Sequence, residues 1–376
     1  MSGAMELGGG AGRAAGAAED GCSATSVGFD ALIYAWPPGG IATYQTRLMD
    51  ALRAVEGVSV AFSGGFTGDP TFAEVAGLTR SPVRQRHALF ALNLARSAGL
   101  KSHIHHLTAF WRPPALRAKR LVLTVHDMIP ERLGDAYPGV RHTHYDKASL
   151  ASAADAIICP AESVREDVIE LLGLPEDRVF TVPHGRPPLI QPEAGTPFEA
   201  ESGGYVLKVG RRSHYKNFLG VLPGLAPVLR RTGLSLVCAG GGPFTVEERA
   251  ALTALGIAGS TAQMALSPGE LAAAYANAFC VVAPSKAEGF GLPLLEAMTY
   301  GAPVIAADIA VKRETAADAV LWCDPEEPEA WGAALQRLAD DPALRARLSG
   351  AGPQRAASFS WERAAQATAE IYRAVA

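Results

Sequence analysis

Two glutamates with seven residues between them carry the clearest chemical signal in this sequence. Glu288 follows an apolar, strand-like run, and Glu296 lies about one turn into the helical pattern that comes next. Between them, Gly289 and Gly291 lack the Cβ atoms that would keep a ligand away from the backbone N–H groups. A helix beginning near Leu292 would direct its unpaired N–H groups and the positive end of its dipole at the same point. The pattern predicts a site for a diphosphate-containing ligand, with both carboxylates facing it.

Positive charge follows the first strand-like run of the second half of the chain. Arg211, Arg212 and Lys216 occur within the segment Lys208–Asn217. A diphosphate that departs from a sugar gains negative charge in the transition state, so its site needs fixed cations. The three cations are candidates for this role, and their spacing alone does not decide between Arg211 and Arg212.

The first half of the chain supplies a second group of candidates. His126 and Asp127 follow an apolar run, at the carboxyl end of a predicted strand, where ligands of doubly wound sheets bind. Gly39 and Gly40 follow the strand-like run Val27–Trp36 and precede a helical pattern, which suits either a phosphate-binding loop or an ordinary turn. A lone histidine at a strand end is more often structural than functional, so the residues alone leave the role of His126 open.

The elements that would position these residues alternate between strands and helices in two series. Their strands are continuous apolar runs, which is typical of parallel sheets covered on both faces. A stretch rich in proline and glycine separates the two series and indicates a linker. The predicted organisation is a disordered tail at residues 1–26, a first domain at 27–190, a linker at 191–204, a second domain at 205–355 and a C-terminal helix at 356–376.

Composition excludes several classes of protein. The 376 residues suit two domains, and 48% hydrophobic with 19% charged residues is a globular balance. The net charge of −4 argues against a dedicated nucleic-acid-binding protein. No apolar run approaches the ~18 residues of a membrane-spanning helix. Five scattered cysteines, without a Cys-x-x-Cys pair or histidines at metal-binding spacing, predict reduced core thiols, a cytoplasmic location and no metal site.

A basic window lies between Glu74 and Asp127, where no acidic residue occurs. Within it, residues 83–100 combine leucines with arginines and could form an amphipathic helix at a membrane surface. The hypothesis is peripheral contact with an anionic membrane that presents the acceptor. The competing interpretation is a solvated basic face beside ordinary core leucines. The nine cations of the window are Arg80, Arg84, Arg86, Arg96, Lys101, Arg112, Arg117, Lys119 and Arg120.

The segment Glu288–Glu296 resembles the Glu-x7-Glu signature of the retaining glycosyltransferases of family 4. The surrounding sequence EGFGLPLLEAM, followed by Gly301–Val304, is similar to that family almost residue for residue. The resemblance extends over residues 27–376 and is looser in the first half. It implies an α/β fold of the GT-B type, in which two Rossmann-like doubly wound domains face a central cleft and a C-terminal helix crosses back towards the first domain.

The resemblance also implies roles for individual residues. Glu288 would hold the donor hexose, and Glu296 would accept hydrogen bonds from ribose hydroxyls. The cations resemble a clamp that contacts the donor diphosphate in place of a divalent metal, and the Tyr-Lys-Asn ending favours Arg212 over Arg211. The implied catalytic residues are His126, Glu288, Lys216 and Arg212. The implied donor-binding residues are Arg211, Arg212, Lys216, Glu288, Gly289, Phe290, Gly291, Leu292, Glu296, Gly39 and Gly40.

In the first half, the resemblance places His126 near the donor sugar and the reacting centre. Asp127 would orient its loop or meet the acceptor, and His106 resembles another acceptor-side element that lines the cleft. The segment Arg313–Ala319 departs from the family's Pro-Glu-x-x-Gly-Asp-Ala pattern, because the proline and the glycine are missing. The shape of that segment therefore stays open.

The implied function is a retaining, metal-independent hexosyltransferase that moves a hexose, with mannose favoured, from a nucleotide-diphosphate sugar to a hydroxyl acceptor. GDP-mannose is the favoured donor, UDP and dTDP sugars stay open, and the acceptor would belong to polysaccharide, glycolipid or glycoconjugate assembly. Front-face attack is favoured, since the sequence places no carboxylate as a covalent nucleophile. Two alternatives remain: a nucleotide-sugar epimerase or hydrolase on the same fold, and a non-catalytic sugar-binding scaffold.

Overall fold

The structure is a computed structural model that describes residues 24–36, 39–67, 78–80, 85–111, 118–134, 136, 147–193, 204–212 and 214–376. The predicted tail up to residue 23, residues 194–203 of the predicted linker, and residues 75–77, 81–84 and 112–117 of the basic window lie outside these ranges. The described residues form a first half, up to residue 193, and a second half, from residue 204. Each half is built around one six-stranded parallel sheet.

The first half contains a large and a small parallel sheet. Their strands are β1 (Thr25–Phe29), β2 (Val58–Phe62), β3 (Gly65–Thr67), β4 (Leu78–Arg80), β5 (Ile104–Leu107), β6 (Arg120–Thr124), β7 (Ala156–Cys159) and β8 (Val179–Thr181). The large sheet has the order β2-β1-β5-β6-β7-β8, and β3 pairs with β4. The strand predicted over Val27–Trp36 ends at Phe29, because the Asp30 carboxylate accepts the N–H of Leu32 at 2.9 Å and begins a tight turn.

The second half contains one sheet, whose order reverses beside its first strand. Its strands are β9 (Tyr205–Val209), β10 (Ser235–Ala239), β11 (Thr261–Met264), β12 (Cys280–Ala283), β13 (Val304–Ala307) and β14 (Leu321–Cys323). They lie in the order β11-β10-β9-β12-β13-β14. Ligands of such sheets bind where the order reverses, which here is between β9 and β12. The loops that carry Lys216 and Glu288 follow these two strands, so the topology brings both residues to one place.

α-Helices flank the strands in both halves, which confirms the predicted doubly wound α/β class. In the first half they are Gly40–Leu52, Arg86–Ser97, Ile129–Leu133, Lys147–Ala153 and Glu162–Leu172. In the second half they are Phe218–Thr232, Val246–Ala254, Pro268–Ala276, Leu292–Thr299, Ala310–Ala316, Pro328–Asp340 and Pro342–Ala356. Within the described ranges, no helix combines the length and the apolar character needed to cross a bilayer.

The final helix, Trp361–Val375, crosses back to the first half, as the resemblance implied. It begins after Ser360, whose hydroxyl accepts the N–H of Arg363 at 3.1 Å. Ala365 and Tyr372 on this helix are fully buried in the core around β1 of the first half. The last residues of the chain therefore complete the core of its first domain.

The basic window contributes the helix Arg86–Ser97 to the first half. Its buried face includes Asn93, whose side-chain amide donates to two backbone carbonyls of neighbouring segments at 2.8 and 3.0 Å. Leu89 is buried, and Leu92 is exposed at 41%. An interfacial helix needs a continuous apolar stripe on its outer face. This helix has instead one strongly exposed leucine among polar and small residues, so its contacts favour the interpretation of a solvated basic face.

Candidate functional site

A cleft of about 760 Å³ lies between the two halves, a volume within the usual range of small-molecule sites. Its walls come from the carboxyl ends of both large sheets and from the segment that connects the halves. The predicted site residues that line it are Gly39, Gly40, His126, Asp127, Lys216, Glu288, Gly289, Phe290, Gly291, Leu292 and Glu296.

An ion pair between Lys216 and Glu288 lies in the second-half wall of the cleft. The lysine Nζ is 2.8 and 2.9 Å from the two carboxylate oxygens. Burial favours a higher pKa for Glu288, but the ammonium groups of Lys216 and Lys312 and a hydrogen bond from Ser285 hold that pKa below its ordinary value. Burial likewise opposes the charge of Lys216, and the nearby Glu288 carboxylate nevertheless raises its pKa. Both groups therefore stay charged at neutral pH.

The loop at residues 284–291, called the cleft loop below, presents free backbone donors. Within the described structure, the N–H groups of Gly289, Phe290, Gly291 and Leu292 donate to no protein acceptor. Gly291 has a left-handed backbone with φ of 87°, and the helix that follows it begins without a side-chain cap. Unpaired N–H groups and the helix dipole together form an anion-binding group.

Gly289 brings the two halves into backbone contact. A Cβ atom at this residue would lie 1.9 Å from the carbonyl oxygen of His126 and 3.2 Å from the Cβ of Asp127. A residue with a side chain would therefore require either the cleft loop to shift or the two halves to move apart. The site is assembled from both halves at this point.

His126 faces the cleft from the first half as a neutral imidazole. It is 9% exposed, and burial lowers its pKa to about 4 despite the hydrogen bond with Thr108. Its Nε2 lies 2.9 Å from the Thr108 carbonyl oxygen and must donate to it, which leaves Nδ1 as an acceptor in the neutral ring. The neighbouring Asp127 accepts the N–H of Ile129 at 3.1 Å, so its carboxylate orients the turn that follows His126.

Glu296 lies on the helix Leu292–Thr299 and accepts a hydrogen bond of 2.8 Å from the Tyr275 hydroxyl. Burial raises the pKa of Glu296, and the hydrogen bond from Tyr275 opposes this shift. Tyr275 stacks on Tyr300 with ring centroids 6.0 Å apart, and both rings line the cleft. The second oxygen of Glu296 can accept hydrogen bonds from ligand hydroxyls.

Arg212 does not line the cleft, which corrects the expectation that it would contact the diphosphate. Its Nε and Nη2 donate to the Glu248 carboxylate at 2.9 and 3.2 Å, and its Nη1 donates to the Gly240 carbonyl at 2.9 Å. Glu248 also completes the capping box of the helix Val246–Ala254. The guanidinium is thus fully used inside the second half. Arg211 is exposed and is likewise absent from the cleft wall.

His106 is also placed away from the cleft, in the core of the first half, which corrects its assignment as a cleft-lining residue. It is 1% exposed, and burial lowers its pKa to about 3. Its Nδ1 pairs with the Tyr372 hydroxyl at 2.6 Å and its Nε2 with the Thr124 hydroxyl at 2.7 Å. His106 therefore helps to hold the final helix on the first half.

Other cleft residues were not predicted from the sequence. Arg47 lines the cleft seven residues after Gly40, so the helical period could have indicated that they share a face. His184 is 5% exposed and lies 4.7 Å from the rings of both Tyr44 and Phe290, with no motif to mark it. Further lining residues that the sequence analysis missed are Thr43, Tyr215, Tyr275 and Tyr300.

The side chains that could bind a metal ion are dispersed over the described ranges. Within them, no group of three or more histidine, cysteine, aspartate or glutamate side chains is arranged to hold a metal ion. Metal-independent transfer stays a prediction. The described cysteines, Cys159, Cys238, Cys280 and Cys323, are buried and free.

Two family models match the chain in succession. The model described as Glycosyltransferase Family 4 matches residues 38–188, and the model described as Glycosyl transferases group 1 matches residues 196–355. Each model covers most of one half of the molecule. Together the two ranges contain all the predicted site residues.

Two similar proteins are transferases by name. The O-antigen chain mannosyltransferase B of Escherichia coli is 28% identical over 291 residues, which cover 73% of this chain and 74% of that protein. A D-inositol 3-phosphate glycosyltransferase of Kineococcus radiotolerans is 31% identical over 255 residues, which cover 60% of this chain and 58% of that protein. The match thus spans less than two thirds of the second relative.

Solved structures share the architecture at lower identity. Sucrose-phosphate synthase from Thermosynechococcus elongatus aligns with a TM-score of 0.71 and 20% identity, over 93% of this chain and 99% of that chain. HepE from Anabaena, in complex with UDP and glucose, aligns with a TM-score of 0.67 and 17% identity, over 92% of this chain and 98% of that chain. These similarities confirm the GT-B fold.

Proposed function

Because the chain belongs to glycosyltransferase family 4, we propose that it transfers a hexose from a nucleotide-diphosphate sugar to a hydroxyl acceptor, with retention of configuration and without a metal ion. The observation that carries this proposal is the Lys216–Glu288 pair beside the free N–H groups of the cleft loop. The lysine supplies a cation for a phosphate, and the carboxylate supplies acceptors for sugar hydroxyls.

Stabilisation of the departing diphosphate is assigned to Lys216 and the N-terminus of the helix Leu292–Thr299. When the bond between the sugar C1 and the diphosphate oxygen breaks, that oxygen gains negative charge. A charged group screened from water acts on it more strongly than the same group in bulk solvent. Arg47 lies in the opposite wall, and no hydrogen bond or ion pair of its guanidinium is described. It would meet a donor phosphate or an anionic acceptor.

The acceptor hydroxyl would attack C1 from the face that the diphosphate leaves. The new C1–O bond forms as the old one breaks, and the hydroxyl proton passes to a diphosphate oxygen. His126 is neutral and fixed through Nε2, so its Nδ1 would accept a hydrogen bond from a hexose hydroxyl. Asp127 lies beside it on the acceptor side. Attack on the departing face requires no covalent nucleophile from the protein.

GDP-mannose is our favoured donor, and a growing polysaccharide or glycolipid is our favoured acceptor. The name of the Escherichia coli relative, an O-antigen chain mannosyltransferase, supports both choices. UDP sugars are the first competitors, because HepE was solved with UDP and glucose. The fold and the paired charges are the same for either donor, so only a binding measurement separates them.

A thermal-shift screen of GDP-mannose, UDP-glucose and dTDP sugars tests the choice of donor. A ligand present at ~100 times its dissociation constant should stabilise the fold by roughly 2.7 kcal/mol. Product analysis by NMR then reports the anomeric configuration, with and without EDTA. An inverted linkage, or transfer that stops on chelation, would contradict the proposed mechanism.

Incubation of the donor without acceptor separates the competing functions. An epimerised sugar, or rapid release of free sugar, would favour the epimerase or hydrolase alternative. Failure to bind any nucleotide sugar by calorimetry would favour the non-catalytic scaffold. We expect slow hydrolysis of the donor when no acceptor is present, and transfer in place of hydrolysis when the acceptor is added.

A further inference from the structure

The helix Ala310–Ala316 presents two functional faces, although it does not line the cleft. Residues three apart on a helix lie on the same side. Val311 and Glu314 form one such pair, and their contacts are with the first half. Lys312 and Thr315 form the other pair, and their contacts are with the cleft loop. One short helix therefore touches the cleft loop from behind and the first half outside the cleft.

The Lys312 face holds both ends of the cleft loop. The Lys312 Nζ donates to the carbonyl of Ala283 at 2.6 Å and to that of Ser285 at 2.9 Å. The Thr315 hydroxyl lies 3.0 Å from the carbonyl oxygen of Phe290. These carbonyls lie just before, at the start and near the end of the loop. The backbone between them carries Glu288 and the free N–H groups.

Lys312 is a buried amine, and its protonated form also acts on the site through charge. It is 1% exposed, and burial lowers its pKa to about 7, against the opposing effect of the nearby Glu288 carboxylate. Its ammonium group in turn helps to keep the pKa of Glu288 low. Lys312 thus supports Glu288 through the loop backbone and through charge.

The Glu314 face clasps the first half. The Glu314 carboxylate accepts the backbone N–H groups of Glu162 and Ser163 at 2.6 and 2.9 Å. These N–H groups begin the helix Glu162–Leu172, where unpaired donors and the helix dipole favour an anion. Val311 packs into the core of the first half that contains Val164. These contacts of Glu314 and Val311, called the Glu314 clasp below, join the two halves outside the cleft.

We propose that Lys312 and Thr315 are positioning residues for the cleft loop, and that the Glu314 clasp makes their placement depend on the docking of the first half. Docking fixes the helix, and the helix fixes Glu288 and the N–H groups at the positions that transfer requires. The inference rests on the proposed function. It predicts that variants of residues outside the cleft change turnover without changing any group that meets substrate.

A matched pair of variants at Glu162 tests the clasp from the first half. Proline is tolerated at the first position of a helix and removes the N–H group there, so Glu162→Pro deletes one hydrogen bond to Glu314. Glu162→Ala loses the same side chain but keeps the N–H. We expect about fivefold lower kcat for the proline variant than for the alanine variant, with KM for the donor within about twofold. Equal kcat values for the two variants would overturn the proposal.

Double variants test whether the two faces act through one route. Lys312→Met should lower kcat about 10²-fold, since small displacements of a reacting group have effects of that size. Glu314→Gln should cost about tenfold in the wild-type background but less than twofold in Lys312→Met, because the coupling is already lost. If the losses of kcat in the two single variants multiply in the double variant, the two residues act independently, and the proposal is overturned. Thr315→Val replaces Lys312→Met in the cycle if the latter does not fold.

Asp341→Asn is the control for a general loss of stability. The Asp341 carboxylate accepts the N–H of Leu344 at 2.8 Å and caps the helix Pro342–Ala356. It resembles Glu314 in that role but contacts neither the cleft loop nor the first half. We expect its kcat to match the wild type, and a tenfold loss would mean that any weakened cap lowers turnover.

Hydrogen exchange without substrate separates this inference from the proposed function. The amide of Lys286, which donates to the Tyr215 carbonyl at 2.8 Å near the start of the cleft loop, should exchange faster in Glu162→Pro than in Glu162→Ala, whatever reaction the protein catalyses. Equal exchange rates would overturn the inference even if transfer is observed. A wild-type protein that transfers no sugar would instead contradict the proposed function. The exchange rates would still show whether docking of the first half affects the cleft loop.

Discussion

The two walls of the cleft hold their polar groups in different ways. In the second half, charged and polar groups pair with one another, as Lys216 does with Glu288 and Tyr275 with Glu296. In the first-half wall, His126 donates through Nε2 to the Thr108 carbonyl and the Asp127 carboxylate accepts the N–H of Ile129, so these side chains are held by the backbone rather than by one another. A wall whose polar groups are already fixed needs little reorganisation during reaction. The second half therefore holds opposite charges together before any ligand binds, whereas the first half holds single polar groups whose remaining hydrogen-bonding atoms would find partners only in a ligand.

Removal of Lys216 should have the largest effect, because the second-half wall depends on its pairing. Lys216→Ala removes the cation that we propose for the diphosphate and leaves Glu288 without its partner. We expect kcat to fall ~10²-fold or more, or about 3 kcal/mol of transition-state stabilisation. Steady-state kinetics measure the loss of turnover, and thermal melting checks that the variant is folded. Lys286→Ala is the control, because Lys286 pairs with Glu326 outside the cleft. Near-wild-type turnover of folded Lys216→Ala would remove the distinction between the walls.

Arg212→Ala should lower the stability of the fold rather than the rate of transfer. This result would distinguish residues of the second half that support the fold from residues that meet substrate. The Arg212 and Glu248 side chains are 3% and 6% exposed. Removing one partner of a buried ion pair costs about 3–5 kcal/mol. Arg211→Ala, at an exposed residue, should stay within about 0.5 kcal/mol of the wild type in urea unfolding. If Arg212→Ala instead kept its stability and lost donor binding, Arg212 would belong to the clamp after all.

Acid should weaken the first-half wall before the second. Burial lowers the pKa of His126 from 6.5 to about 4, so between these values the unfolded chain binds a proton that the folded chain does not. The contribution of His126 is complete above pH 6.5 and falls by about 1.4 kcal/mol per pH unit on acidification. The pKa of Glu288 is below 4.5, so its contribution is lost only at pH values below that.

The measurement for this acid effect is urea unfolding at pH values from 7.5 to 4.5. In His126→Gln the dependence of the free energy of unfolding on pH should be shallower than in the wild type. An identical slope in the two proteins would mean that other groups cause the acid sensitivity.

The smallest expected effect is a gain in stability from a substitution of Ala317, which follows the helix Ala310–Ala316. Ala317 has φ of 47° and ψ of −124°, a conformation that glycine adopts more easily than alanine. We expect Ala317→Gly to raise the free energy of unfolding by about 1 kcal/mol. Ala316→Gly, within the helix, should lower it by about 1 kcal/mol. A destabilised Ala317→Gly would show that the turn tolerates the Cβ atom.

The second half could be predicted closely because its site is local in sequence. The cleft loop and the helix after it form one continuous segment, so glycine spacing and apolar pattern were enough to place Glu288 and Glu296. The first strand-like run of the second half forms the strand Tyr205–Val209. Shorter or more polar strands were missed, since β11 reads Thr-Ala-Gln-Met and β3 has three residues. The family resemblance also marked residue 317 as a glycine position, where the backbone has positive φ.

Partners that are distant in sequence could not be predicted. The choice between Arg211 and Arg212 depends on which side chain meets Glu248, 36 residues further along. His106 pairs with Tyr372, 266 residues away, on a helix that only the fold brings close. In both cases the family resemblance suggested cleft chemistry, and a tertiary partner instead places the side chain in the protein interior.

The two halves touch at Gly289 with no side chain between them, since a Cβ would lie 1.9 Å from the His126 carbonyl oxygen. A single methyl group there would act as a spacer. Gly289→Ala would keep the two halves of the cleft apart. Each half could then still bind its substrate, but the two substrates would stay too far apart to react. Solution scattering should then give a larger radius of gyration than for the wild type, and an unchanged radius would mean that the loop yields instead.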